Sequence, residues 1–199
     1  MKTHAILLSG GVDSAALAAV ERPALAIGID YGQRCAAAEL TAAGAVAAAL
    51  NIPFAAVRAD CSQIGSGDLG ARPALAGIAP SREWWPFRNQ LLATLAAPAA
   101  LEQEVGVLLF GSVSSDAFHS DGTAEFYSRL DALMRFQEGG IGVAAPGVRL
   151  TSVELVTRSG FGMELFGWTH SCHVANAPCG FCRGCTKRRE VLREAGLWP

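Results

Sequence analysis

The chain has 199 residues, of which 51% are hydrophobic, and its formal net charge is -2. This length and composition suit one α/β domain with a sizeable core and a small appendage. The charge balance argues against a general attraction to nucleic acid, and no uninterrupted apolar run is long enough to span a membrane. Because the first residues lead directly into a strand-like run and leave no room for a signal peptide, we expect a cytoplasmic protein.

Strand-like and helix-like segments alternate along the sequence. The residue pattern predicts strands over 3–8, 24–30, 53–58, 105–110 and 143–145. It predicts helices over 13–19, 33–50, 88–101 and 123–136, with Pro98 either kinking the third helix or starting another. Thr151 and Glu154 have the spacing of a capping box, which indicates one more helix start. We therefore predict an α/β fold with a doubly wound, parallel, five-stranded sheet over residues 1–168.

A glycine loop directly follows the first predicted strand, with the sequence Ser9-Gly10-Gly11-Val12-Asp13-Ser14. Paired glycines let the backbone approach a phosphate, and the N–H groups of the turn and of the following helix form an anion site. Asp13 is an anion in such a site, which makes sense if a Mg²⁺ ion lies between it and the phosphates. We place Asp13 in an exposed loop.

This loop lacks the lysine of the GxxxxGK[ST] phosphate loop and is similar to the SGGxDS loop of ATP pyrophosphatases. It predicts ATP and Mg²⁺ as cofactors, with AMP and pyrophosphate as products. The predicted ATP-binding residues are Leu8, Ser9, Gly10, Gly11, Val12, Asp13 and Ser14. The alternative interpretation is an ordinary glycine-rich turn capped by serine.

Four of the six cysteines crowd the C-terminal end, at Cys172, Cys179, Cys182 and Cys185. In a cytoplasmic protein such a cluster indicates a metal rather than disulfides. Four thiolates suit a structural, tetrahedral Zn²⁺ ion that pins a second, small domain over 169–199. An iron–sulfur cluster is the rival, although the spacing of the fourth cysteine and the following proline of the ferredoxin run are absent. His170 and His173 are competing ligands or, in the interpretation that we favour, lie next to the metal or the substrate.

Two further groups of residues have a bland interpretation that we favour. Cys35 and Cys61 stand alone in the sequence and are predicted to pack in the interior rather than to act as nucleophiles. A basic cluster in the last segment is predicted to be the solvated face of a helix, with a phosphate-facing patch near the active site as the alternative. Its members are Arg183, Lys187, Arg188, Arg189 and Arg193.

With both ends interpreted, the chain resembles the QueC family of 7-cyano-7-deazaguanine (preQ0) synthases within the ATP pyrophosphatase superfamily. The matching motifs follow the family order over almost the whole length. They are the glycine loop, Asp30-Tyr31-Gly32-Gln33-Arg34, Pro86-Phe87-Arg88-Asn89, the segment 111–116, Asp121-Gly122-Thr123-Ala124-Glu125-Phe126 and the terminal cysteine knuckle. The glycine loop alone indicates the superfamily, whereas the D-Y-G-Q-R element and the knuckle make the match specific.

Several positions depart from the family pattern. Ser152 stands where the family turn Thr-Lys-x-Glu has its lysine, and His173 stands where a tyrosine is usual. We interpret Ser152 as the mark of a changed phosphate site, in which an arginine such as Arg149 or Arg158, or one from the basic cluster, supplies the missing charge. Three more departures fall where substrate would lie and leave open a different carboxylate: Phe87 for glycine, Gly122 for cysteine and Thr123 for arginine.

The resemblance implies that ATP adenylates 7-carboxy-7-deazaguanine, that ammonia gives the amide, and that a second adenylation gives 7-cyano-7-deazaguanine. It implies catalytic roles for Asp13 and Arg88. The implied substrate-binding residues are Tyr31, Gln33, Arg34, Arg88, Asn89, Asp116, Asp121 and Glu125. Surface ion pairs are the alternative for the two arginines, and an interaction with the helix dipole is the alternative for Glu125.

Two other functions stay open. One is an amide-forming ligase that acts on another carboxylate or on a protein amine. The other is a tRNA-thiolating enzyme, which shares the glycine loop but needs a nucleic-acid surface that the net charge does not favour. The oligomeric state is also open, with a homodimer as one option, and we expect no membrane partner.

Overall fold

The computed structural model describes residues 3–198, so the outermost residues of the two predicted domains lie outside it. Its strands are β1 (His4–Leu7), β2 (Leu25–Asp30), β3 (Phe54–Arg58), β4 (Val107–Leu109) and β5 (Gly142–Ala144). They form one sheet in the order β3-β2-β1-β4-β5, and every pairing in it is parallel. The predicted α/β fold with a five-stranded parallel sheet is confirmed.

Helices cover both faces of this sheet. They are α1 (Val12–Glu21), α2 (Ala36–Ala49), α3 (Arg88–Glu102), α4 (Ala124–Phe136), α5 (Ser152–Ser159), α6 (Met163–Phe166) and α7 (Arg183–Glu194). Strand β1 and the residue after it show the alternation, because Ile6 and Leu8 pack with α1, α2, α5, α6 and α7. Ala5 and Leu7 point to the opposite face and pack with α3 and α4.

The structure refines two predicted helix boundaries and confirms one predicted helix cap. Pro98 lies inside α3, which continues to Glu102 as one helix. Helix α2 begins only at Ala36, because the Gln33 side chain holds the preceding turn by accepting from Tyr31 N and donating to Ile29 O. The capping box is confirmed, since Thr151 Oγ1 accepts from Glu154 N at 3.1 Å and Glu154 Oε2 accepts from Thr151 N at 2.7 Å.

The topology fixes where a ligand can bind. From β1 the chain first adds β2 and β3 on one side of the sheet and then crosses to add β4 and β5 on the other side. The direction of the strand order therefore reverses between β1 and β4. In open parallel sheets, a crevice forms at this point beyond the carboxyl ends of the strands. No helix among residues 3–198 is long and apolar enough to cross a membrane.

Candidate active site

A cleft of about 290 Å³ opens at this carboxyl edge of the sheet. Its walls come from the glycine loop, the ends of β1, β2 and β4, the start of α3 and the first turns of α7. Most of the predicted ATP-binding residues line it, namely Leu8, Ser9, Gly11, Val12, Asp13 and Ser14. The glycine loop and the topological switch point of the sheet therefore coincide.

Gly10 turns the glycine loop back against α2. Its φ is +78°, and a Cβ at this position would lie 2.7 Å from the Glu39 carbonyl oxygen, so a side chain is excluded. Gly11 is the N-cap of α1 and provides no side-chain cap, which leaves the N–H groups of the first turn available. The Ser9 and Ser14 hydroxyls lie 3.1 Å apart beside this turn. The arrangement is suited to an anion.

Asp13 lies in the first turn of α1 and its side chain is only 17% exposed, which corrects our placement of it in an exposed loop. Lys187 of α7 donates to Asp13 Oδ2 at 2.8 Å, and its Nζ lies 3.5 Å from Asp116 Oδ1. Burial alone would lower the pKa of Lys187, but Asp13 and Asp116 outweigh it and the net shift is upward. Asp13 Oδ1 is buried and has no hydrogen-bond partner among residues 3–198.

The sequence pattern does not single out Lys187, which it places only within the basic cluster and predicts to lie on a solvated helix face. For Lys187 the solvated-face interpretation is wrong, because its Nζ faces the cleft between two carboxylates. Arg183 and Arg188 also line the cleft, whereas Arg189 is exposed on the outside of the same helix. The available signal was the position of Lys187 two residues after Cys185, in the part of α7 that the cysteine cluster orients.

The opposite end of the cleft holds the predicted substrate residues Tyr31, Arg88, Asn89 and Asp121. Asp116, which is also predicted to bind substrate, lies beside Lys187 near the glycine loop. Burial alone would lower the pKa of Arg88, yet Tyr31 and Asp121 outweigh it and raise the pKa. Asn89 Nδ2 is already engaged, because it donates to Asp121 O at 2.7 Å and to Tyr127 Oη at 3.1 Å. Asn89 therefore joins α3 to the 120–122 turn, and Arg88 lines the cleft beside Tyr31.

Three predicted substrate residues do not line the cleft. The Gln33 side chain is buried in its own turn and also donates to Glu39 Oε2 at 2.8 Å. Arg34 is exposed just before α2. Glu125 forms a solvent-exposed ion pair with Arg129 one turn along α4. Their predicted contacts with substrate remain predictions.

Two cleft residues from irregular segments were also not predicted. Glu83 belongs to the long segment 60–86 and forms an ion pair with Arg183 at the start of α7. His119 Nε2 lies 4.0 Å from Glu83 Oε1 and 3.5 Å from Ser81 Oγ. The Nδ1 of the same ring is buried and has no hydrogen-bond partner among the residues that the structure describes. Burial lowers the pKa of His119, so the imidazole is neutral at neutral pH. These contacts fasten the long segment over the cleft.

The cysteine cluster lies beside the cleft. The four Sγ atoms of Cys172, Cys179, Cys182 and Cys185 are all within 4.8 Å of one another. Tetrahedral Zn–S bonds of about 2.3 Å place sulfur atoms about 3.8 Å apart, and the Cys179–Cys185 and Cys172–Cys182 pairs are separated by 3.9 and 4.0 Å. Backbone N–H donors from Phe181 and Cys182 lower the pKa of Cys179 to about 6. The donor set fits one thiolate-bound metal ion.

Backbone contacts join the cysteine knuckle to the glycine loop. His170 N donates to Gly10 O at 2.9 Å, and the His170 ring lies 3.1 Å from Ala175 O. His170 and His173 both line the cleft, which agrees with a place between metal and substrate. Gly184 permits close packing of α7, because a Cβ there would lie 1.8 Å from Ser171 O and 2.7 Å from His173 Nε2.

The departures from the family pattern have different structural contexts. Ser152 is the first residue of α5, is 6% exposed and does not line the cleft. Within residues 3–198 its hydroxyl has no hydrogen-bond partner. Neither Arg149 nor Arg158 lines the cleft. Phe87 has a left-handed backbone with φ of 53°, a region that favours glycine, and its side chain is 78% exposed.

Comparison with known proteins agrees with this architecture. A family model described as "Queuosine biosynthesis protein QueC" matches residues 3–196. A 7-cyano-7-deazaguanine synthase of Xanthomonas campestris is 32% identical over 216 residues, covering 99% of this chain and 96% of the relative. The enzyme of that name from Methanothermobacter thermautotrophicus is 30% identical over 215 residues, covering 96% of this chain and 94% of the relative. Since family model and relatives both extend over nearly the whole length, the chain belongs to the QueC family.

Proposed function

We propose that this protein is an ATP-dependent ligase that converts 7-carboxy-7-deazaguanine and ammonia to 7-cyano-7-deazaguanine, with release of AMP and pyrophosphate. The relatives' name supports the product, because it denotes a synthase of that compound. The proposal of an ATP-dependent step rests on one observation. The Lys187 ammonium lies at the switch point of the sheet together with the uncapped N-terminus of α1, the hydroxyls of Ser9 and Ser14, and Asp13.

The proposed reaction activates a poor electrophile. A carboxylate oxygen attacks the α-phosphorus of ATP, which forms a mixed anhydride and releases pyrophosphate. Ammonia adds to the carbonyl carbon, and the bond to AMP breaks with loss of a proton, leaving the amide. A second ATP adenylates the amide oxygen and releases a second pyrophosphate. Departure of AMP and loss of the two N–H protons then give the nitrile. None of these steps needs a nucleophile from the protein, so its tasks are positioning and charge stabilisation.

Each end of the cleft has a part in this scheme. The first turn of α1 and the hydroxyls of Ser9 and Ser14 bind the pyrophosphate. The free Oδ1 of Asp13 is an oxygen ligand of the kind that Mg²⁺ takes, and a bound ion there would neutralise phosphate charge. At the other end, the Arg88 guanidinium clamps the substrate carboxylate and Asp121 accepts from the donor edge of the deazaguanine.

We also propose a division into two units, an ATP domain over 1–168 and a metal-bound segment over 169–199 that packs on it. The packing of this segment on the ATP domain is supported by its contacts, since Val191 and Leu192 of α7 belong to the same core as α1 and α5. Zinc is the proposed ion, because four clustered thiolates form a closed tetrahedral site.

Mass spectrometry tests the proposed reaction. The purified protein is incubated with ATP, Mg²⁺, ammonium and 7-carboxy-7-deazaguanine, with the Asp13→Asn variant as the matched control. We expect the mass of the nitrile with the native protein and unchanged acid with the variant. Failure of the native, metal-loaded protein to consume the acid would contradict the proposal.

A second candidate is an amide-forming ligase for this or another carboxylate. It is favoured by the non-family residues at the substrate end, where Gly122 lines the cleft and Phe87 and Thr123 flank cleft residues. The same experiment separates the two candidates, because the amide is heavier than the nitrile by one water. A gel shift with tRNA tests the thiolating enzyme, and we expect no shift.

A further inference from the structure

We propose that Lys187 is the cationic residue that binds the phosphate chain, and that metal binding by the cysteine cluster sets nucleotide affinity through it. This inference rests on the proposed ATP-dependent function and deepens it. It gives the cysteine cluster a role in the nucleotide site in addition to holding the C-terminal segment.

Lys187 is suited to bind phosphate because it faces the glycine loop and its neighbouring arginines are engaged elsewhere. Arg188 donates to Thr169 Oγ1 at 2.7 Å and to Phe166 O at 2.8 Å. Arg183 pairs with Glu83, at the mouth of the cleft. Of these three cations, all within the described part of the chain, only Lys187 forms an ion pair with Asp13, which lies in the uncapped first turn of α1. An ammonium at this position lies on the side of the loop where phosphate oxygens would bind.

The two carboxylates around Lys187 indicate that its ammonium changes partner when nucleotide binds. Without ligand, one positive charge is shared between Asp13 Oδ2 and Asp116 Oδ1 at 2.8 and 3.5 Å. A divalent cation taken up by Asp13 would repel this ammonium, whereas pyrophosphate would attract it. A lysine has a flexible stem and can follow the phosphates over a short distance. The pair therefore holds the ammonium in place for the nucleotide.

The cysteine cluster controls where this lysine stands. Cys182 is the N-cap of α7, with its Sγ accepting from Cys185 N, and Lys187 follows in the second turn of the helix. The other side of the knuckle contacts the glycine loop through the bond from His170 N to Gly10 O. Two of the four metal ligands hold the start of α7, because Cys182 is its N-cap and Cys185 lies in its first turn. Loss of the metal would therefore release the start of the helix and, with it, the Lys187 ammonium.

Nucleotide binding tests the coupling between the metal and Lys187. The dissociation constant of a non-hydrolysable ATP analogue is measured for the native chain and Lys187→Met, each in a metal-loaded and a metal-stripped form verified by elemental analysis. Arg58→Met is the matched control, because it removes the same charge from an exposed position outside the cleft and the cysteine cluster. Far-UV circular dichroism checks that every form remains folded.

We expect Lys187→Met to weaken binding by roughly 10- to 100-fold, the range for a lost charge-assisted hydrogen bond. We expect metal removal to weaken the native chain by about tenfold and Lys187→Met by less than about twofold, because the shared route is already broken. Arg58→Met should keep both the affinity and the metal effect. Equal metal effects in the native chain and in Lys187→Met, or unchanged affinity in that variant, would overturn the inference.

A second readout separates a direct role from a general loss of structure. Without the ammonium, Asp13 and Asp116 are free for Mg²⁺, so Lys187→Met should bind Mg²⁺ more tightly and inorganic pyrophosphate less tightly than the native chain. A purely structural defect would weaken both, and that result would also overturn the inference. If the loaded native chain binds no ATP analogue, the proposed function fails as well; if only the effect of Lys187 is absent, the proposed function stands.

Discussion

The two ends of the cleft are built from different kinds of structure. At the phosphate end, Asp13 lies in the first turn of α1 and Lys187 in the second turn of α7, and the glycine loop follows a buried strand. At the substrate end, Glu83 and His119 come from irregular segments, and Phe87 departs from the family pattern next to Arg88. Regular elements fix the part of the site that we propose to bind ATP, while loops hold the part that we propose to bind the acid. We expect substitutions at the first end to remove the reaction, and substitutions at the second to change affinity for the acid.

The largest effect is expected for Asp13→Asn. It removes the charge that pairs with Lys187 and the oxygen proposed to hold Mg²⁺, so kcat should fall by at least about 10³-fold. Steady-state kinetics at saturating ATP measures this. Asp60→Asn is the control, because Asp60 is an exposed carboxylate outside the cleft. Retention of more than a tenth of the activity by Asp13→Asn would show that the phosphate end works without this residue.

Arg88→Met should act on the other substrate. Loss of the guanidinium removes a charged clamp on the carboxylate, so KM for the acid should rise by roughly 10- to 100-fold while KM for ATP stays within about twofold. Arg58→Met serves as the comparison, since Arg58 is exposed and outside the cleft, and it should leave both constants unchanged. If Arg88→Met raised KM for ATP instead, the assignment of the two ends would be reversed.

The contrast between the two ends also explains what the sequence could and could not predict. The glycine loop and the capping box at Thr151 are local, so spacing alone predicts the strand–loop–helix unit and the start of α5. Lys187 could not be selected from the run Lys187-Arg188-Arg189, because only the packing of α7 decides which side chain faces the cleft. Glu83 and His119 lie in irregular segments, whose course depends on long-range contacts such as the pair with Arg183.

A smaller effect is expected from the Glu83–Arg183 pair that fastens the segment 60–86. Burial alone would raise the pKa of Glu83, but its backbone hydrogen bond and Arg183 outweigh it, and the net shift is downward. For a carboxyl with a lowered pKa, the contribution to stability is fully present above the unfolded pKa and is lost as pH falls through the folded pKa. At neutral pH, Glu83→Gln should therefore speed hydrogen exchange in this segment.

Hydrogen exchange with mass spectrometry measures this effect as the ratio of rates in Glu83→Gln and the native chain. We expect a ratio of roughly five at pH 7, because a partly exposed ion pair contributes about 1 kcal/mol. The ratio should approach one as pH falls through the lowered pKa of Glu83, because the native carboxylate is then protonated too. A ratio that stays constant with pH would mean that the carboxylate charge does not hold the segment.

The smallest effect is expected for Phe87→Gly. The left-handed backbone at this position strains a non-glycine residue, and the exposed ring contributes little packing. The substitution should therefore raise the free energy of unfolding by about 1 kcal/mol in urea denaturation, without changing kcat for ATP consumption. Phe136→Gly offers a contrast, because Phe136 is just as exposed but helical, and glycine there should destabilise the chain by a similar amount. A loss of stability in Phe87→Gly would show that the ring has a partner that offsets the strain.

The most direct test of the phosphate end is the identity of the spent nucleotide. Chromatography of a reaction with ATP, Mg²⁺, ammonium and the best carboxylate found separates AMP from ADP, and a coupled assay quantifies pyrophosphate against orthophosphate. A loop that binds the leaving pyrophosphate, with Asp13 and Lys187 beside it and no phosphate-loop lysine, predicts AMP and pyrophosphate in equal amounts. ADP and orthophosphate as the main products would contradict this account of the cleft.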